Sequence, residues 1–213
     1  MNKLNAKNKF IYFLKKNSNL IIFFLTLLVG IFAYLYYGKW PIQGDALGQY
    51  NRALLLKENF GALLHSPEIG MLEPLNYMIH ALLFLLPGNN VYAVYIFNII
   101  LYGLTGLLIF NLASLYLNNK KLAFIVFLLF IFNHKYWIFI LHFKPEIRIV
   151  FLFILLIYLT YNIYKKAGIT KYWVIWGIIA ALLLLLDMRY IPHIGLIGLF
   201  FIIGLKPFKV FRK

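Results

Sequence analysis

The chain has 213 residues, of which 63% are hydrophobic and only 13% charged; a soluble domain averages about 25% charged. It has no cysteine, which excludes disulfides, thiolate metal sites and cysteine nucleophiles. The net charge of +15 would suit nucleic acid, so where the charges lie along the chain decides what they mean.

Residues 1–17 form a basic tail ending in Lys15 and Lys16, followed by the apolar run Leu20–Tyr37. That run is too long for a signal-peptide core. Lys39-Trp40-Pro41 follows it, with no small-residue cleavage site, so it reads as a retained first span. Next comes "QGDALGQYNRALLLKENFG", residues 43–61. Its spacing predicts an amphipathic surface helix over Ala46–Phe60, with Leu47, Tyr50, Leu54 and Leu55 on the apolar stripe and Arg52 and Glu58 off it. Met71–Leu86 is apolar but short for a span, which needs about 20 residues. It also carries Glu73, Asn76 and His80, all costly at a bilayer centre, so it reads as a second interfacial helix. The runs Val91–Leu117, Leu122–Leu141, Ile147–Tyr164, Tyr172–Leu186 and Ile191–Leu205 complete six spans.

With six spans both termini are cytoplasmic. Every inner segment is then basic (residues 1–17, Lys120–Lys121, Lys165 to Lys171, and 206–213) and none holds an acid. All six acids, Asp45, Glu58, Glu68, Glu73, Glu146 and Asp187, fall on or near the outer face. This matches the positive-inside rule and removes the need for a nucleic-acid partner. The predicted class is an all-α integral membrane protein: one transmembrane domain over 1–213, six membrane helices and two interfacial helices inside a large outer loop, residues 38–90. The plasma membrane is the expected location and membrane lipid the expected surroundings. No Gly-x-Gly-x-x-Gly or P-loop pattern and no internal repeat occurs.

Four stretches carry a family resemblance: "GDALGQYNRALLLKENFG" from Gly44, "LEPLNYMIHALLFLLPG" from Leu72, "NHKYWIFILHFKPEIRIVFLF" from Asn133 and "LLLLLDMRYIPHIGL" from Leu182. Their order and spacing resemble the GT-C membrane glycosyltransferases, which include protein O-mannosyltransferases, lipid A aminoarabinose transferases and bacterial oligosaccharyltransferases. The likeness runs from residue 18 to about residue 205 and matches the amino-terminal module of longer family members, so it also implies a protein partner supplying further spans. Two positions depart from the pattern: Ala46 replaces the second acid of the first-loop pair, and Glu146 stands where an Asp is usual.

The resemblance implies sugar transfer from a polyprenyl-phosphate donor to an acceptor at the outer leaflet. Asp45 is then the catalytic base, since attack on a sugar carbon needs a proton acceptor within hydrogen-bond reach; alternatively it caps the following helix. Glu146, with Asp45, suits Mg²⁺ or Mn²⁺ as a metal ligand, or is a first-turn acid favoured by the helix dipole. Arg189, Lys144 and Arg148 are candidates for the donor phosphate, although Arg189 can also pair with Asp187. His65, Glu68, Glu73 and His142 are candidates for the acceptor side or the rim, and each is also readable as a solvated loop residue. The rival reading is a non-catalytic membrane subunit, a truncated fragment or a pseudoenzyme of the same fold.

Overall fold

The computed structural model describes residues 17–38, 45–59, 73–88, 90–165 and 170–204, and among these no strand occurs. The helices are α1 (Ser18–Tyr37), α2 (Asp45–Glu58), α3 (Pro74–Leu83), α4 (Asn90–Leu117), α5 (Lys120–Ile131), α6 (His134–Ile140), α7 (Glu146–Lys165), α8 (Thr170–Leu186) and α9 (Ile191–Gly204). A short 3₁₀ turn, Met188–Tyr190, joins α8 to α9. Local chemistry sets several boundaries. Pro74 opens α3, where its missing N–H costs nothing. Asn119 caps α5 by accepting from the backbone of Lys121 and Leu122. Asn118 takes the left-handed turn between α4 and α5 at φ 47°, a conformation Asn tolerates.

α1, α4 and α7 are long and apolar enough to cross a membrane. The α5–α6 pair is bent by 59°. It nevertheless runs back along α4 in register: Phe127 meets Phe110, the Ile131 carbonyl meets the Tyr102 hydroxyl, and the Ile140 carbonyl meets Asn98. The pair therefore acts as one broken span. Its break is stable because the freed Ile131 carbonyl accepts from both Tyr102 and the Trp137 indole, at 2.9 and 2.6 Å, and Asn133 caps the new helix.

α1 and α4 meet through small residues. Thr26 of α1 lies against Gly106 of α4, Gly103 of α4 lies against Phe23 and Leu27 of α1, and Gly30 of α1 lies against Ile99 and Tyr102 of α4. A Cβ at Gly106 would lie 2.5 Å from the Thr26 hydroxyl oxygen, and one at Gly103 would lie 2.8 Å from Leu27 Cδ2. Small residues let membrane helices pack by close backbone approach. Gly106→Val should therefore lower stability by about 1–3 kcal/mol, read as a drop in unfolding temperature in detergent. A value equal to the unmutated protein would mean the seam can open at no cost.

The structure corrects two expectations. α8 spans Thr170–Leu186 and α9 spans Ile191–Gly204. At about 1.5 Å per residue both fall short of a straight crossing of a ~30 Å core. Among the described residues three helices, or four with the bent pair taken as one span, are long and apolar enough to cross, and six full-length spans are not shown. The buried face of α2 is only partly the expected stripe. Tyr50 and Leu54 pack against the core as expected, but Ala53, Leu56 and the polar Gln49 also turn inward, while Leu47 and Leu55 are exposed. The rotation follows from Gln49, which finds hydrogen-bond partners in Asn76 of α3 and in Glu73 just before it.

Candidate active site

α2, α3, the loop 142–145, the start of α7 and the α8–α9 turn enclose a cavity of about 890 Å³. Its wall holds Gln49 and Arg52 from α2, Glu73 and Tyr77 from the α3 segment, and Lys144 and Glu146 from the junction of the 142–145 loop with α7. Asp187, Arg189, Tyr190 and His193 close the far side.

Behind this wall lies Arg148, one turn into α7 and only 2% exposed. Its guanidinium donates to the Asn76 and Asn98 side-chain oxygens and meets His80 Nε2 at 2.5 Å. Asn76 in turn donates to Gln49 Oε1 at 2.5 Å and to the Phe143 carbonyl at 3.2 Å. Gln49 Nε2 donates to Glu73 Oε2 at 2.6 Å. Asn98 donates to the carbonyls of Ile140 and His142. One buried arginine thus ties α3, α4, α7 and the 142–145 loop together and, through Asn76 and Gln49, sets the Glu73 carboxylate on the cavity wall. A buried charge is costly unless it is hydrogen-bonded, and here both Nη atoms have partners while Nε has none.

His80 is fully buried in this network. To accept from Arg148 through Nε2 it must be neutral and carry its hydrogen on Nδ1. Burial, and then the Arg148 charge, hold its pKa well below the usual histidine value. The unfolded chain takes up a proton near pH 6.5 and the folded chain does not, so the stability is complete above about 6.5 and falls as pH drops below it. The loss should approach about 1.4 kcal/mol per pH unit. His80→Gln keeps an acceptor for Arg148 and should flatten this acid slope between pH 7 and 5 in thermal unfolding. An unchanged slope would place the acid sensitivity elsewhere.

At the far wall Arg189 grips Asp187 with Nε and Nη2, at 2.6–2.9 Å, and its backbone N–H adds a third bond. Burial alone would raise the Asp187 carboxyl, but these hydrogen bonds hold it below its usual range. The Arg189 side chain stays 79% exposed and stands 4.0 Å from Glu73 Oε1. Glu146 Oε2 is buried and has no hydrogen-bond partner. Burial, and then the neighbouring Lys144 charge, lower the His142 imidazole.

Among the expected residues, Glu146, Arg189, Lys144 and Glu73 meet at one cavity although they come from three separate segments. Arg148 is corrected: it is buried behind the wall with both Nη atoms engaged by Asn76, His80 and Asn98, and it does not line the cavity. His142 contributes its carbonyl to Asn98 and is not part of the wall. His65 and Glu68 lie outside the described residues, as does the side chain of Asp45. The helix predicted to follow Asp45 begins at Asp45 itself, which makes it a first-turn residue, while the next turn of α2 lines the cavity.

Among the described residues no group of three or more His, Asp or Glu is placed to hold a metal ion. Of the expected pair, Glu146 offers one buried oxygen with chemistry that suits a hard cation.

Sequence reasoning passed over Gln49, Asn98, Tyr190 and His193 altogether, and saw Arg52, Asn76, Tyr77, His80 and Asp187 without a site role. A signal existed for some of them. Asn98 is a lone amide in an apolar span, and Asn76 and His80 sit one turn apart on an apolar helix. Polar side chains at such places face protein rather than lipid.

Helices long and apolar enough to cross a bilayer, with a charged cavity at the ends of α7 and α8, define an integral membrane protein with a polar site. The sequence profile of the dolichyl-phosphate-mannose-protein mannosyltransferase family matches residues 71–210, and the chain belongs to that family. The match takes in Glu73, Glu146, Arg148 and Arg189 and begins after α2. No curated protein and no solved structure matches the chain.

Proposed function

We propose that the cavity moves a sugar from a polyprenyl-phosphate donor to an acceptor hydroxyl at the outer face of the plasma membrane. The observation that carries this reading is the meeting of Glu146, with its unpartnered buried oxygen, and Arg189 at one cavity where the membrane helices end. A lipid-linked donor keeps its tail in the bilayer and brings its phosphate to that level, so no nucleotide-binding fold is needed.

Arg189, with Lys144, holds the donor phosphate, a role that suits a guanidinium. The acceptor oxygen attacks the anomeric carbon, the sugar–phosphate bond breaks, and polyprenyl phosphate leaves. Asp45 takes the acceptor's proton. A divalent ion held by Glu146 and Asp45 would neutralise charge on the leaving phosphate.

The test is a membrane assay. Membranes containing the chain should transfer label from a polyprenyl-phosphate sugar and not from a nucleotide sugar. The reverse preference would overturn the reading. Orientation is tested by single cysteines in this cysteine-free chain. Those at Gly61 and Asn89 should be labelled from outside intact cells and one at Asn119 should be protected. Outside labelling at Asn119 would invert the assignment.

A further inference from the structure

Besides Arg189 and Lys144 the cavity has a third cation, which the donor phosphate does not need. Arg52 projects from α2 onto the wall. Its Nη1 donates to the Tyr77 hydroxyl at 2.9 Å, and its guanidinium lies over the Tyr77 ring, 5.7 Å from the centroid. An exposed arginine is ordinarily free to sample many rotamers. This one is held in place by an aromatic ring and a neutral hydroxyl, contacts that orient a guanidinium without cancelling its charge.

Two of the three acids on the described wall are engaged by other groups, and the third, Glu146, comes from the start of α7. Asp187 is chelated by Arg189, and Glu73 Oε2 accepts from Gln49. Glu73 stands between the two arginines, hydrogen-bonded to Gln49 on the α2 side and 4.0 Å from Arg189 on the other. The cavity therefore has two cationic poles with a carboxylate between them.

We infer that Arg52, oriented by Tyr77, binds an anionic group on the acceptor, so that the acceptor substrate is itself a phosphate- or carboxylate-bearing molecule. This rests on the transfer reading and names its acceptor class. The donor phosphate occupies the Arg189 pole. The acceptor's anion occupies the Arg52 pole, and the reacting hydroxyl lies between them, near the carboxylates. A fork of N–H donors engages either a phosphate or a carboxylate.

The test uses the full chain in nanodiscs of zwitterionic lipid, with two kinds of probe: polyprenyl phosphate for the donor pole, and glycerol phosphate or lactate for the acceptor pole. Wild type should bind one of the two small anions while saturated with polyprenyl phosphate, and which of them binds decides between phosphate and carboxylate. Arg52→Gln should weaken small-anion binding tenfold or more and leave polyprenyl phosphate binding within twofold, which also shows that the variant is folded. Tyr77→Phe should weaken it less, and Arg52→Lys should restore part of it. Arg189→Gln should show the opposite pattern. Competition between the small anions and polyprenyl phosphate for one site would overturn the inference. So would equal loss of both in Arg52→Gln, or no small-anion binding by wild type that binds polyprenyl phosphate. Failure of wild type to bind polyprenyl phosphate would instead remove the transfer reading beneath it.

Discussion

Asp45→Asn should lower sugar transfer from a polyprenyl-phosphate donor by about 10²–10⁴-fold, the usual worth of a positioned general base. The substitution keeps the size and shape of the side chain and removes its ability to take a proton. Asp45 opens α2, so it also has a local role that must be separated from chemistry. An acid in the first turn of a helix is stabilising by roughly 0.3–1 kcal/mol through the helix dipole. If that were its whole contribution, Asp45→Asn would lower the unfolding temperature slightly and leave transfer intact. The expected result is the other pattern: near-normal insertion and unfolding, with transfer lost. Because Gln49 and Arg52 on the next turn of α2 line the cavity, an unfolded α2 would also remove activity. Unfolding must therefore be measured on the same preparation. An Asn variant with full activity would end the base assignment.

Arg148→Met should be among the most destabilising single substitutions in this chain. Methionine fills much of the same space but leaves the Asn76 and Asn98 oxygens and His80 Nε2 without their donor. Removing one member of a buried charged arrangement costs roughly 3–5 kcal/mol. That is a large share of the ~5–15 kcal/mol that holds a typical protein folded. The comparison is Arg189→Met, whose own side chain is 79% exposed but whose removal leaves the Asp187 carboxylate, 4% exposed, without its guanidinium, a cost of about 1–3 kcal/mol. Thermal unfolding in one detergent should rank Arg148→Met as the less stable of the two. A near-equal pair would mean that water enters the Arg148 site and satisfies its partners. Arg148→Met should also lower transfer, because Asn76 and Gln49 would no longer hold Glu73 on the cavity wall.

These two residues show how differently function and fold were legible. Asp45 and Glu146 stand out in the sequence because acids are scarce and all fall on one side of the predicted membrane. Hydropathy reports on each segment separately, so the apolar runs, the positive inner loops and the segment demoted by Glu73, Asn76 and His80 could all be read without tertiary information. The clustering of Glu146 with Arg189 was also within reach, since short outer loops at the ends of neighbouring spans have little room to separate.

Arg148 was different. In one dimension it is a basic residue two positions from Glu146, next to a loop, and it looks like part of a phosphate-binding rim. Only packing reveals that α3 and α4 bring Asn76, His80 and Asn98 against it from 50 to 72 residues away. Part of the inward face of α2 was hidden for the same reason. Amphipathicity assigns leucines to the interior, but Leu47 and Leu55 are exposed, whereas Gln49 turns inward and gains two hydrogen bonds. The break between α5 and α6 likewise depends on Tyr102, a residue of another helix, meeting the carbonyl that the bend exposes. The sequence alone determined the membrane class, because it follows from transferring local segments from water to lipid, and the positive-inside rule turns the distribution of charges into an expected sidedness. Tertiary structure decided which polar groups became wall and which became hub, because hydrogen bonds in a dry interior are made between segments that no local pattern relates.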